Sequence, residues 1–397
     1  MNVESFLSKN IKEALKNDPP GEWMPTLPEK CIRLSSGYPD PFLVPTEQIK
    51  ESVVSLIDME KDLPLHYLGS PKIDKLKVHI QQMLTERDMG VQEDELLITS
   101  GASQAIDLIA RILIDENCVV ALESPTYMEA LEIFQNYTSH FMSIPVDQHG
   151  LQTEKLEEML NDRKEQGLPL PRLLYTIPTF QNPTGTTMSK ERRKHVMELA
   201  NQYNFLIVED DAYGELYFDQ PSIPLKALDY EDRVLHVGSL SKVVAPGMRI
   251  GWVSASAKLI TAMNWFKKDL DHPFSQATMA TYLDKTDLSK RLNTLRTTYE
   301  AKCGVLLTAL EQHLPDSVSW YVPKGGYFVW VNVAGVDTST LLTQALNEGV
   351  SYVPGKYFYL QEQEAISHLR LSFSYASKEE IVEGVRKLAN VIEALSQ

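Results

Sequence analysis

Residues 236–252 read HVGSLSKVVAPGMRIGW. The stretch opens as an apolar strand, sets Lys242 among Ser239 and Ser241, and closes on Pro-Gly, Arg249 and Gly-Trp. A solvated lysine needs no such company. A lysine just past a buried strand, with two hydroxyls and a guanidinium beside it, suits a site that grips a phosphorylated group.

Upstream, short apolar runs alternate with helical patterns. LLITS (96–100), VVALES (119–124), HFMSIPVD (140–147), LLYTIP (173–178), FLIVEDD (205–211), VLHVGS (234–239) and RIGWVSAS (249–256) read as seven strands. Most are apolar throughout, which predicts burial on both faces. Strand and helix in alternation make an α/β fold with a mostly parallel seven-stranded sheet flanked by helices. The helix after LLYTIP begins near Ser189, whose Ser-Lys-Glu-Arg opening fits a capping box.

From about residue 283 the texture changes. LSKRLNTLRTTYEAKCGVLLTALEQHL predicts one long amphipathic helix, and SVSWYVPKGGYFVWVNV a hairpin turning at Gly325-Gly326. A further helix and a strand-helix pair around HLRLSFS complete a smaller α+β domain. The expected organisation is an N-terminal segment (1–44) packing with the small domain or a partner subunit, a large domain (45–282) and a small C-terminal domain (283–397).

The 397 residues, 43% hydrophobic and 23% charged, are an ordinary balance for a globular enzyme. A formal net charge of -16 disfavours nucleic acid or an anionic membrane as partner. Cys31, Cys118 and Cys303 form no CxxC pair, which predicts no zinc site and a reducing, cytoplasmic setting. The amphipathic N-terminus, MNVESFLSKNIKEALKND, reads as neither a signal peptide nor a membrane span.

In open α/β sheets ligands sit at the carboxyl ends of the strands. Five strand ends here offer a small-residue turn (Ser100 to Gln104), an aromatic (Tyr127), an amide (Asn182), a carboxylate with a phenol (Asp210, Tyr213), and the lysine with its hydroxyls and arginine. Each alone is an ordinary turn or cap. Together they supply an aldehyde-binding lysine, a carboxylate for a pyridine nitrogen and a phosphate cup, the inventory that holds pyridoxal phosphate.

With SGASQ, ESPTY, QNPTG, EDDAY, SLSKVVAPGMRIGW and LRLSFS in this order, the chain resembles the fold-type I pyridoxal-phosphate enzymes of the class I/II aminotransferase group. It is similar to the branch that holds 2-aminoadipate and kynurenine aminotransferases and the aminotransferase-like domains of MocR regulators. The resemblance implies that Lys242 bonds the cofactor and then serves as the base that shuttles the substrate proton. It implies Asp210 on the pyridine nitrogen, chosen over Asp211 because only 210 and 213 fit the family's Asp-x-x-Tyr. Tyr213 and Asn182 are implied on the ring oxygen, Tyr127 on the ring face, and Ala102, Ser103, Ser239, Ser241 and Arg249 on the phosphate. Arg370, with Gly37 and Asn182, is implied for the substrate α-carboxylate. Tyr67 resembles the tyrosine that reaches the phosphate of the other subunit, which implies a homodimer with shared sites.

Two positions depart from the pattern. Lys72 stands where a glycine is usual five residues after that tyrosine, with Gly69 coming early, and Asn117-Cys118 replaces a common Gly-Asp turn. The implied activity is a ping-pong exchange of an amino group between an L-α-amino acid and a 2-oxo acid, glutamate and 2-oxoglutarate being one expected pair. A C–S β-lyase would use the same groups. A MocR-type sensor would need a DNA-binding domain before the SSGYPD motif, and only about 35 residues precede it here. For the substrate side chain, Tyr38, Leu43 and Tyr357-Phe358-Tyr359 suggest an apolar pocket, and Lys356 or Lys72 would be the cation for a distal carboxylate.

Overall fold

Strands covered on both faces must send alternate side chains into two separate cores, and this sheet does so. In the computed structural model of the chain, which describes residues 3–15, 21, 26–67, 69–268, 272–361 and 365–395, the first strands are β1 (Ile32–Arg33), β2 (Leu96–Thr99), β3 (Val119–Ser124) and β4 (Phe141–Asp147). Next come β5 (Gly150–Leu151), β6 (Pro171–Thr176), β7 (Leu206–Asp210), β8 (Val234–Ser239) and β9 (Gly251–Ser254). The last are β10 (Val318–Trp320), β11 (Phe328–Val333), β12 (Val350–Ser351), β13 (Val353–Pro354) and β14 (His368–Ser372). Leu173, Tyr175, Val208 and Val237 join one core, with helices Ala102–Leu113 and Ala257–Phe266. Their neighbours Leu174, Ile207 and Val234 join another, with helices Thr153–Glu165 and Lys190–Tyr203.

The large sheet runs β2-β9-β8-β7-β6-β3-β4-β5. Pairing is parallel from β8 through β7, β6 and β3 to β4. β9 lies antiparallel between β2 and β8. Only residues 240–250 connect β8 to β9, too few for the helical crossover that parallel neighbours need. The sheet has one strand more than the seven apolar runs, because the two-residue β5 folds back on β4; so short a strand carries no periodic signal.

The smaller antiparallel sheet, β10-β11-β14-β13, lies with the 26-residue helix Leu288–His313 and the helix Lys378–Leu395. The hairpin connection spans 321–327, longer than a tight turn at Gly325-Gly326. Ser189 does cap the helix Lys190–Tyr203, accepting from the Arg192 N–H at 3.2 Å. The third helical residue is an arginine, so the reciprocal half of the box is missing.

Near the N-terminus, β1 pairs in parallel with β12 of the small-domain region. The amphipathic stretch before it forms a 3-10 turn, Val3–Phe6, and a short helix, Lys9–Ala14, with Phe6 and Leu15 exposed. Among the described residues no helix is long and apolar enough to cross a membrane.

Gly238 on β8 faces Trp252 on β9, and a Cβ there would fall 2.2 Å from two indole carbons. Gly238→Ala is expected to cost about 1–3 kcal/mol by overpacking and to lower the melting midpoint by several degrees. An unchanged melting curve would mean that the indole moves aside freely.

Candidate active site

Parallel strands end together, so residues just past β2, β3, β6, β7 and β8 converge on one side of the sheet. There they line a cavity of about 430 Å³, closed from the small-domain side by Arg370 on β14 and by the 35–38 turn. Ala102, Ser103, Tyr127, Asn182, Asp210, Tyr213, Ser239, Ser241, Lys242, Arg249, Gly37 and Arg370 all contribute to its wall. Tyr67 does not; it stands 84% exposed after the turn Leu63–Leu65.

One end of the cavity is built from backbone and hydroxyls. Helix Ala102–Leu113 begins in the wall, and the first-turn N–H groups of an α-helix have no intrahelical acceptor. The turn ahead of it is pinned: the Ser100 N–H donates to Gln104 Oε1 (2.8 Å) and Arg249 Nη2 to the Ser100 carbonyl (3.0 Å). Ser239 Oγ donates to Ser241 Oγ at 2.8 Å.

At the other end, Lys242 Nζ donates to the Gly37 carbonyl at 3.0 Å. Burial pushes its amine down to about 8, opposed by the nearby carboxylates of Glu129 and Asp210. Asp210 is 4% exposed; burial raises its carboxyl to about 6, while the Tyr175 hydroxyl, donating to Oδ2 at 2.7 Å, pulls it back. Its Oδ1 is buried without a partner among the described residues. Asp211 is tied elsewhere: Arg87 Nη1 lies 2.5 Å and His236 Nε2 3.1 Å from its Oδ2. Burial alone would raise Asp211, but those two groups hold it well below the ordinary carboxylate range.

Arg370 Nη1 donates to Asn182 Oδ1 and Nη2 to the Ser35 carbonyl, each at 2.9 Å. Its guanidinium lies 4.2 Å from the Phe328 ring centroid, and its buried Nε has no partner among the described residues. Burial lowers it to about 10, so it stays cationic near neutrality. Tyr213 packs edge-on to Tyr327 and Phe328, at 5.4 Å and 5.6 Å between centroids.

The family model described as "Aminotransferase class I and II" matches residues 29–388. The chain belongs to that family. It is 38% identical to "Aromatic-amino-acid aminotransferase 1" of Thermococcus litoralis, over 91% of this chain and 88% of that one. It is 33% identical to the 2-aminoadipate transaminase of Thermus thermophilus, over 92% and 90%. The kynurenine aminotransferase of Pyrococcus horikoshii, solved with PMP, superposes at a TM-score of 0.91 with 36% identity, covering 100% of this chain and 99% of that one. This class I/II aminotransferase is thus a fold-type I pyridoxal-phosphate enzyme that moves an amino group between amino acids and oxo acids.

The residues present fit that cofactor. The orphan Oδ1 of Asp210 is a ready acceptor for a protonated ring nitrogen, and the turn-and-hydroxyl cup suits a phosphate. Several wall residues carry no signal in the sequence alone: Leu27, Arg33, Met128, Glu129, Ile177 and Val353. Glu123 works from behind the wall. Its buried carboxylate accepts from Thr176 Oγ1 (2.5 Å), the Ile177 N–H (3.1 Å) and Gln181 Nε2 (3.1 Å), and Gln181 also reaches the Pro125 carbonyl (2.7 Å). That clamp fixes the loops bearing Tyr127 and Asn182. Only the Glu-Ser-Pro-Thr-Tyr motif could have pointed to it.

Other expected pocket residues sit outside. Leu43 packs against the main core. Tyr357 and Tyr359 pack behind the wall on Met128, Trp330, Val353 and Phe358. Lys72 is paired with Asp284, and Lys356 lies over the Tyr357 ring; neither lines the cavity.

An amine with a midpoint near 8 attacks an aldehyde well below the pH that an ordinary lysine needs. Apoenzyme mixed with pyridoxal phosphate is therefore expected to load faster as pH rises through about 8, and then to level off. Visible absorption follows the loading. A rate still climbing past pH 10 would contradict a lowered Lys242.

Proposed function

We propose that the enzyme runs a ping-pong transamination in which Lys242 is the moving part and the rest of the wall holds its reactants still. The observation that carries this reading is the meeting of three groups around one cavity: Lys242 with its lowered amine, and Asp210 Oδ1 and Arg370 Nε, each without a partner among the described residues.

In this reading Asp210 Oδ1 accepts from the ring nitrogen, and its charge keeps that nitrogen protonated. Tyr213 and Asn182 hydrogen-bond the ring oxygen, and Tyr127 lies against the ring face. Ala102, Ser103, Ser239, Ser241 and Arg249 take the phosphate. Pyridoxal phosphate supplies an electron-withdrawing ring that stabilises negative charge on the substrate α-carbon. Lys242, freed when the substrate amine takes its place, would accept the α-proton and return it to the carbon that was the cofactor's aldehyde, across the nitrogen from the α-carbon. Arg370 holds the α-carboxylate through a planar fork, with Asn182 and the Gly37 backbone beside it.

The wall around the remaining volume is mainly apolar, from Leu27, Tyr38, Met128, Ile177 and Val353. This supports amino acids with apolar or aromatic side chains; the Thermococcus relative is named for the aromatic ones. Arg33 is a cation in the same wall and favours a second reading, a distal carboxylate as in glutamate or 2-aminoadipate.

The exposed apolar side chains Phe42 (94%), Tyr67 (84%) and Leu65 support a homodimer, with Tyr67 reaching the partner's phosphate. The pairing of β1 with β12 supports an N-terminal segment of 1–44 that belongs with the small domain, 283–397, apart from the large domain, 45–282. Three widely spaced free thiols support a cytoplasmic setting.

The test mixes holoenzyme with each L-amino acid in turn, without an oxo acid. Conversion of the cofactor to its amine form is expected, fastest with the preferred side-chain class. Ammonia and pyruvate released from cystathionine would instead establish a lyase, and a bound amino acid that never converts would point to a sensor. Arg370→Gln should raise KM for every amino acid about a hundredfold, from the loss of a charge-assisted bidentate contact. A KM change confined to one side-chain class would place Arg370 on the side chain instead.

A further inference from the structure

Tyr175 is not part of the cavity wall, and no motif drew attention to it. It sits in the middle of an apolar core, on β6 beside β7, with its ring edge-on to Phe134 at 5.4 Å. A tyrosine hydroxyl buried in an apolar core needs a partner. This one has Asp210 Oδ2, at 2.7 Å.

We propose that Tyr175 is a positioning residue for cofactor chemistry: its hydroxyl occupies Oδ2 of Asp210, fixes the carboxylate plane and leaves Oδ1 as the acceptor for the ring nitrogen. The inference rests on the assignment of Asp210 to that nitrogen. Three observations carry it. Both partners are buried, the bond is short, and the second carboxylate oxygen is buried with no partner among the described residues.

The charged and titratable groups around Asp210 do not supply the same service. Asp211 and Glu123 oppose its charge; His236 favours it but bonds Asp211; Tyr127, Tyr213 and Lys242 face it across the cavity. The Tyr175 hydroxyl is the donor that favours the charged carboxylate most. Burial and the adjacent charge push its own ionisation far up, so it stays a donor throughout the working pH range.

Removing the hydroxyl raises the Asp210 carboxyl further. The attraction between carboxylate and protonated ring is present above that pKa and is lost as pH falls through it, so the loss must begin at higher pH. Equilibrium dialysis of the holoenzyme across pH, with bound cofactor read by visible absorption, is the experiment. Tyr175→Phe keeps the ring against Phe134, and its cofactor-release midpoint should move up by about one pH unit, with a roughly tenfold lower kcat and little change in KM. Phe134→Leu disturbs the same packing without touching the hydroxyl; it should lower the melting temperature and leave the midpoint in place. Should Tyr175→Phe fail to fold, 3-fluorotyrosine installed at Tyr175, a stronger donor of nearly the same shape, should move the midpoint down.

A Tyr175→Phe midpoint equal to wild type would overturn the proposal, as would a fluorotyrosine enzyme that does not shift, or an equal shift in Phe134→Leu. Asp210→Asn separates the two levels. If it abolishes retention while Tyr175→Phe does nothing, this proposal falls and the role of Asp210 stands. If Asp210→Asn itself changes nothing, the underlying reading falls.

Discussion

Withdrawal from water is the constraint on which this site depends. Burial drives ionisable groups toward their neutral forms, and the wall and the layer behind it show this in both directions: Asp210 up to about 6 and Glu123 behind it up to about 7, Lys242 down to about 8, Arg370 down to about 10. The same burial in a purely apolar wall would leave Asp210 and Lys242 neutral. The Tyr175 hydroxyl is the donor that most offsets this rise at Asp210, and Arg370 stays charged because a guanidinium starts so far above neutrality.

Holding such groups in place takes both sheets. The turn at 35–40 lies over Lys242 and is tied down from the small-domain side. Lys302, buried in the helix Leu288–His313, lies 2.5 Å from Asp40 and donates to the Ser374 carbonyl at 2.9 Å. The Tyr299 hydroxyl accepts the Asp40 N–H at 3.2 Å, and Tyr327 donates to the Lys242 carbonyl at 2.9 Å. The backbone of Lys242 and the turn over it therefore share one buried network. A buried ion pair such as Lys302–Asp40 is costly to make and costlier to break on one side, which favours a single position for the turn over maximal stability.

Much of this could be read from the chain. Seven apolar runs became seven strands, because a doubly covered strand needs continuous apolar sequence and little else. The strand-end motifs gave the wall, since chemistry at the carboxyl edge of a parallel sheet is carried by residues close behind each run. Leu27, Arg33 and Val353 stayed hidden because they come from segments 27–38 and 353, which meet the wall only through tertiary packing. Tyr175 stayed hidden for another reason: inside a strand that looks apolar a tyrosine reads as core, and its hydroxyl partner lies on a neighbouring strand.

The pair Asp210 and Asp211 shows how far spacing and geometry each go. A tyrosine three residues away selects Asp210 by pattern, without saying what the second acid does. Along an extended chain, consecutive side chains point to opposite faces. Asp210 thus looks into the cavity with Tyr175 behind it, while Asp211 looks toward Arg87 and His236, with Glu215 and Arg296 beyond. The two carboxylates shift in opposite directions: burial dominates at Asp210, offset in part by a phenol and the Ala212 N–H, while Asp211 meets the Arg87 guanidinium and the His236 imidazole. Because Asp211 stays ionised next door, it adds to the rise at Asp210. The structural acid therefore helps to set the chemistry of its neighbour.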